Sequence, residues 1–300
     1  MNWVINFMLV LLLYSCASTQ QSDNLDFEFD SISNEDFKVI EEVPYREHED
    51  VFEDVEVNDD SLAKESMARV SEPKLMVVEN KVSNVISKGI SLCYRKQFDS
   101  AFEIFDRTYF AFKNHPSYWN QIGTCYFLKG ETKKAFLYYN KARDLNPNYV
   151  PAINNHGVIY QQEGDHYKAL KVYEKASKLN SFVLTPLFNI GQLYLRYGFA
   201  EKAKNIFKSL LNKNPGDVDA LNGMAMSYFM LGNTSGALAY WQKINNESLE
   251  EPYIGLNYAV ALKMLGKKQE AASVLDKIND AKLGQLANYY KKVKNYIGVQ

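Results

Sequence analysis

The sequence predicts an all-α chain: a solenoid of six helix–turn–helix units, closed by a C-terminal amphipathic helix and preceded by an acidic tether. Three observations carry this prediction. Within Pro116–Tyr149, Trp119, Ile122, Gly123 and Tyr126 recur at helical spacing. A turn signal follows at Gly130, then Ala135, Tyr139 and Ala142 recur before Pro147, the pattern of two short amphipathic helices joined by a tight turn. Second, the pattern repeats every 34 residues. Ala135 aligns with Ala101, Ala169, Ala203, Ala237 and Ala271, and Gly123 with Gly89, Gly157, Gly191, Ala225 and Ala259. Gly130 aligns with Gly164, Gly198, Gly232 and Gly266, Tyr126 with Leu92, Tyr160, Tyr194, Tyr228 and Leu262, and Tyr139 with Phe105, Tyr173, Phe207, Trp241 and Leu275. Third, Leu283, Leu286, Tyr289, Tyr290, Val293, Tyr296 and Ile297 mark one face of a last helix, with Lys291, Lys292 and Lys294 on the other.

Each column has a physical reason. Gly or Ala where two helices cross lets the backbones approach, the aromatic residue fills the space beside it, and glycine at the turn takes a positive φ. One unit cannot bury its apolar face alone, so units must stack, and an open end needs a helix with one polar face. The order Trp119, Ile122, Gly123, Tyr126, Ala135, Tyr139, Ala142 and Pro147 resembles the tetratricopeptide repeat (TPR), with Ile122 in place of the usual Leu. The resemblance implies a right-handed solenoid over 74–300, with units at 82–115, 116–149, 150–183, 184–217, 218–251 and 252–285 and a capping helix at 281–299.

The chain begins with an apolar run, Met1 to Tyr14, of signal-peptide length and too short to span a bilayer comfortably. Leu13-Tyr14-Ser15-Cys16 resembles the bacterial lipobox, although Tyr14 is bulky for its position and no Lys or Arg precedes the run. The resemblance implies a signal peptide at 1–15 and acylation of Cys16. Ala17 after it implies the outer membrane by the sorting rule of enteric lipoproteins. A plain secretory signal and an uncleaved anchor are the alternatives.

Residues 16–73 form the tether. Between Asp23 and Asp60 sixteen Asp or Glu face only Lys38 and Arg46, a net charge of −14. Such a segment repels itself and buries too little to order, although Phe27, Phe29, Phe37, Ile40 and Phe52 are spread through it. The whole chain has 34 basic and 36 acidic residues, so the remainder carries +12. Many of its lysines fall on second helices and their ends, where a solvated face is the ordinary outcome. Nucleic acid is disfavoured, because no stacking motif accompanies them.

In TPR solenoids the first helices line the groove, and carrying the family's groove positions onto this chain gives an amide-rich wall: Asn120, Gln121, Thr124, Asn154, Asn155, Gln161, Asn189, Gln192, Asn222 and Asn257. Amides both donate and accept, so a ladder of them can pair with the backbone of an extended peptide whatever its sequence. Arg196 and Lys263 stand apart, which argues against a clamp for a C-terminal carboxylate. Apolar groove positions gather in the end units (Ile86, Ile90, Phe229, Met230, Leu256, Met264), with core as the expected place of the methionines.

Catalysis has no candidate residues, and no metal or other cofactor is expected. The four histidines show no ligand spacing, and His156 sits in the column that Ile122 fills, where packing is expected. Cys93 and Cys125 lie on first helices of adjacent units; a disulfide is open to them in an oxidising compartment, with buried free thiols as the commoner outcome. The reading is a non-enzymatic adaptor on the periplasmic face of an outer membrane, recruiting a protein or peptide along its groove, with no nucleic acid and no small-molecule substrate. The alternative is a regulatory or targeting subunit whose acidic segment competes with partners for the basic array.

Overall fold

The computed structural model describes residues 85–180 and 183–299, so the signal sequence, Cys16 and the acidic tether lie outside the described residues. Every regular element among the described residues is helical. The order is α1 (Val85–Tyr94), α2 (Phe98–Phe112), α3 (Pro116–Leu128), α4 (Thr132–Leu145), α5 (Val150–Gln162), α6 (His166–Leu179), α7 (Thr185–Arg196), α8 (Ala200–Lys213), α9 (Val218–Met230), α10 (Thr234–Trp241), the single turn α11 (Asn246–Leu249), α12 (Pro252–Met264), α13 (Lys268–Lys277) and α14 (Ala287–Ile297). Six helix pairs and a terminal helix result, which is the fold class the periodicity predicts. The chain divides at Pro186/Leu187 into two compact bodies.

In the first body α1–α2, α3–α4 and α5–α6 are antiparallel pairs, and α4 packs on α5. Pairing depends on a missing atom. A Cβ on Gly123 would sit 2.7 Å from the Tyr139 ring and one on Gly157 2.5 Å from the Tyr173 ring. Tyr139, Tyr173, Ala135 and Ala169 are almost wholly buried at these crossings. Tyr118 donates its hydroxyl hydrogen to the Phe105 carbonyl at 2.7 Å, and Trp119 donates its indole N–H to the Lys113 carbonyl at 2.7 Å, tying the second pair to the first. Cys93 and Cys125 are joined by a disulfide with Cα atoms 5.2 Å apart. Free thiols, the commoner outcome expected from sequence, are therefore not what forms: the two first helices pack directly, and both side chains lie in that contact. A loop of that separation, 32 residues, is worth about 3–4 kcal/mol by chain entropy.

The second body holds α7 to α14, with α8 on α9, α10 on α12, and α14 against α12 and α13. Gly191 meets the Phe207 ring as in the first body. Gly223 faces the same ring from the following pair, at 2.4 Å, while Ala225 and Ala259 fill the column of Gly123. The second helix of the fifth pair stops at Trp241. Asn245 then caps α11, accepting from the Ser248 N–H at 2.8 Å. That extra turn lies on α12 at Gly255, where a Cβ would come 2.4 Å from the Leu249 carbonyl oxygen. At the C-terminus the helix expected at 281–299 is shorter. Two 3₁₀ turns, Asp280–Lys282 and Gly284–Leu286, precede α14, and Gly284 takes φ +46°. Val293 and Ile297 are buried while Lys291 and Lys292 are exposed, the division of faces a cap requires.

The turn inside each pair has one conformation. Gly130, Gly164, Gly198, Gly232 and Gly266 have φ between +78° and +86°. In the first pair the position belongs to Lys96, at φ +61°. Its N–H donates to the Cys93 carbonyl, and that of Gln97 to Leu92, the bonds that Gly130 and Glu131 make to Phe127 and Tyr126. Left-handed backbone costs a non-glycine residue about 1 kcal/mol. Lys96→Gly should therefore raise the unfolding free energy by about 0.5–1 kcal/mol in a urea titration, part of the relief being offset by a freer unfolded chain; lower stability would show that the lysine is not strained.

Candidate functional site

The first helices α1, α3, α5, α7, α9 and α12 carry the amide series. Proline stands at the first or second position of four of them, at Pro116, Pro151, Pro186 and Pro252, where an absent N–H costs nothing. Asp217 opens α9 by accepting from the Ala220 N–H at 3.1 Å. These starts fix the helical phase and so decide which side chains share a face.

Of the ten residues assigned to the groove, Asn120, Gln121, Thr124, Asn154, Asn155, Gln161, Asn189 and Asn222 are buried, and Gln192 and Asn257 are half-buried. Three come together in the first body. Asn154 donates from Nδ2 to Asn155 Oδ1 at 3.1 Å, and Asn155 donates from Nδ2 to Asn120 Oδ1 at 3.1 Å, so an amide chain crosses from α5 to α3. Thr124 lies at 3.3 Å from the Tyr139 hydroxyl, and the Tyr173 hydroxyl donates to Gln161 Oε1 at 3.1 Å. In the second body Trp241 donates its indole N–H to Asn222 Oδ1 at 2.9 Å, and the Tyr289 hydroxyl donates to Asn257 Oδ1 at 3.3 Å. Buried amides bonded in this way hold neighbouring units in register, since each would be costly without its partner. Sequence reasoning missed one such link, Tyr253 to the Asp219 carboxylate at 3.2 Å, although the two residues lie 34 apart and so share one column of adjacent units.

Ile86, Ile90, Phe229 and Leu256 are core. Met264 is exposed, contrary to the core expected for it, because α12 ends there and the residue falls on the turn. Among the described residues no group of three or more His, Cys, Asp or Glu converges as metal ligands would. A crevice of about 260 Å³ lies between α11, α12 and α13, lined in part by Glu250, Tyr258, Glu270 and Lys277. Glu270 accepts from the Lys267 ammonium at 3.0 Å. No described helix is long and apolar enough to cross a membrane.

A chain of helix pairs with glycine or alanine crossings and glycine turns at constant spacing defines a helical repeat protein. Residues 116–149 and 156–280 match family models described as tetratricopeptide repeat, and the chain carries such repeats. Comparison with curated proteins finds no match. Among solved structures it is similar to PilF of Pseudomonas aeruginosa, at 18% identity and TM-score 0.55 over 71% of this chain and 95% of that one. A tetratricopeptide repeat protein of Parabacteroides merdae matches at 20% identity and TM-score 0.54, over 69% of this chain and 83% of that one. PilW, a type IV pilus biogenesis factor, matches at 18% identity and TM-score 0.53, over 73% of this chain and all of that one (100%). At these identities the likeness is one of fold.

His156 gives the first body a pH dependence. It is fully buried against the rings of Phe136 and Tyr139, at centroid distances of 4.6 and 5.8 Å. Burial first, and the Arg143 charge second, push its pKa down to about 3, against a hydrogen bond to the Phe136 backbone that works the other way. The unfolded chain, near 6.5, takes up a proton that the folded chain refuses. This contribution is intact above pH 6.5 and is lost as pH falls from there towards 3, by up to about 1.4 kcal/mol per unit. His156→Leu should flatten that part of the stability–pH profile relative to the native chain; parallel profiles would contradict the assignment.

Proposed function

We propose that the chain is a non-enzymatic adaptor of the bacterial envelope, held to the outer membrane through an acylated Cys16 and recruiting a protein partner along its first helices from the periplasmic side. The observation that carries the reading is the pairing of an interaction fold with a disulfide. Tetratricopeptide repeats offer an extended protein-binding surface, and a buried structural disulfide belongs to an oxidising compartment, where an exported chain would fold. The apolar Met1–Tyr14 run ending in Ser15-Cys16 supplies the export signal in this reading. Residues 16–73 then connect the repeats to the membrane.

The partner-facing wall is the amide series, of which Gln192 and Asn257 are half-buried and within a partner's reach, while Asn120, Gln121, Thr124, Asn154, Asn155, Gln161, Asn189 and Asn222 are buried. An extended segment pairing its backbone with these amides would be held with little dependence on its own sequence. The assembly served is a pilus, a motility machine, outer-membrane assembly or recruitment of a cell-wall enzyme. Within that series, the fold likeness to PilW, a type IV pilus biogenesis factor, supports pilus assembly.

Photo-crosslinking residues placed at Gln192 and at Asn257 in cells should capture one common protein, while a probe at exposed Lys208 on α8 should not. In the same strain, radiolabelled palmitate should enter the native chain and not Cys16→Ser. Capture from Lys208 alone would move the binding surface to the second helices, and labelling that survives Cys16→Ser would remove the anchor.

A further inference from the structure

The turns inside the last three helix pairs share a feature that the first body lacks. Tyr197 and Phe199 flank Gly198, Leu231 precedes Gly232, and Met264 and Leu265 precede Gly266. All five side chains are between 38% and 53% exposed. The corresponding turns of the first body carry Lys129 and Glu131, or Glu163 and Asp165. Within the second body successive pairs stack, so turns 34 residues apart fall on one edge, with tips spread over about 20 Å at usual helix–helix spacings. The three turns thus carry an exposed apolar row.

Its surroundings are basic. Residues 196–204, 230–236 and 263–270 include six basic side chains, Arg196, Lys202, Lys204, Lys263, Lys267 and Lys268, and two acidic ones. Both carboxylates are occupied within the protein: Glu201 pairs with Lys204 at 2.7 Å and Glu270 with Lys267 at 3.0 Å. Lys202 holds its ammonium 5.1 Å above the Phe199 ring, so its charge lies beside an apolar tip. The tips are convex and separate, each the end of a helix folded through a left-handed glycine. A protein partner would need a row of matching pockets, whereas a fluid interface accepts each tip on its own.

We propose that this edge of the second body docks on an anionic lipid bilayer, with Tyr197, Phe199, Leu231, Met264 and Leu265 entering the headgroup–acyl boundary and the lysines meeting lipid phosphates. Docking of this edge would hold the second body at the membrane surface, so the acidic segment would serve as a slack connection and not as a fixed spacer. The inference is independent of acylation at Cys16, since it rests on the repeats alone.

The test uses the full chain with Leu231→Cys carrying an environment-sensitive fluorophore. Cys93 and Cys125 are engaged in their disulfide, and the unsubstituted chain taken through the same labelling is the blank. The chain is reconstituted into vesicles of phosphatidylglycerol or of phosphatidylcholine, and its flotation with the vesicles is recorded separately. The expected result is a blue shift with several-fold brightening in phosphatidylglycerol, absent in phosphatidylcholine, lost with Lys202→Glu/Lys267→Glu/Lys268→Glu, and not shown by a label at Glu163→Cys. A chain that floats with phosphatidylglycerol vesicles but keeps a water-like spectrum at 231 overturns the proposal while leaving the anchor intact. A shift that needs no lipid and grows with protein concentration also overturns it, and makes the edge a contact between proteins.

Discussion

The contact on which the structure depends is a side chain against the place where another is missing. In the first four units an aromatic ring from the second helix occupies the space where the first helix lacks a Cβ: Phe105 at Gly89, Tyr139 at Gly123, Tyr173 at Gly157 and Phe207 at Gly191. Glycine in a helix costs about 1 kcal/mol relative to alanine. The pair regains more than that, because a ring and a helix backbone at van der Waals distance exclude water and fill space that no flexible side chain fills as well. The turn conformation follows, since two helices crossing that closely can be joined by a very short link only if one residue adopts positive φ.

This contact explains which parts of the fold could be read from sequence. The columns of Ala135, Gly123, Gly130 and Tyr139 are spaced by the geometry of one unit, so each recurrence is a separate reading of the same local rule. Lys96 shows the limit: the turn is kept in the first unit although its glycine is absent, because the Leu92 and Cys93 carbonyls still bind the next two N–H groups. The break of the fifth second helix at Trp241 was not legible, for the unit keeps its length and only Asn245 hints at a new start. Nor was the second contact on the Phe207 ring, made by Gly223 of the following pair, since Gly223 lies outside the small-residue column that Ala225 fills.

The candidate site was legible in its residue types and not in its use of them. Sequence placed Asn120, Asn154 and Asn155 on first helices and took their amides as groups for a partner. The structure bonds them to one another, a consequence of the helical phase set by Pro116 and Pro151, which sequence patterns define only to within a residue or two. The disulfide was open for a similar reason. Cys93 and Cys125 are two residues out of the 34-residue register, and only the packing of α1 on α3 brings their Cα atoms within 5.2 Å. The first body is thus cross-linked covalently and by amides, the second by Trp241–Asn222, Tyr253–Asp219 and Tyr289–Asn257.

The ring-against-glycine contact is tested most directly by a double-mutant cycle in urea on Gly157→Ala and Tyr173→Leu. In the native background the added methyl meets the ring, and Gly157→Ala should destabilise by about 1–3 kcal/mol. With Tyr173→Leu the ring is gone, and the same change should become neutral or stabilising by up to about 1 kcal/mol, the helix preference for alanine. An equal cost of Gly157→Ala in both backgrounds would contradict the account, because the glycine would then be required by something other than the ring it faces.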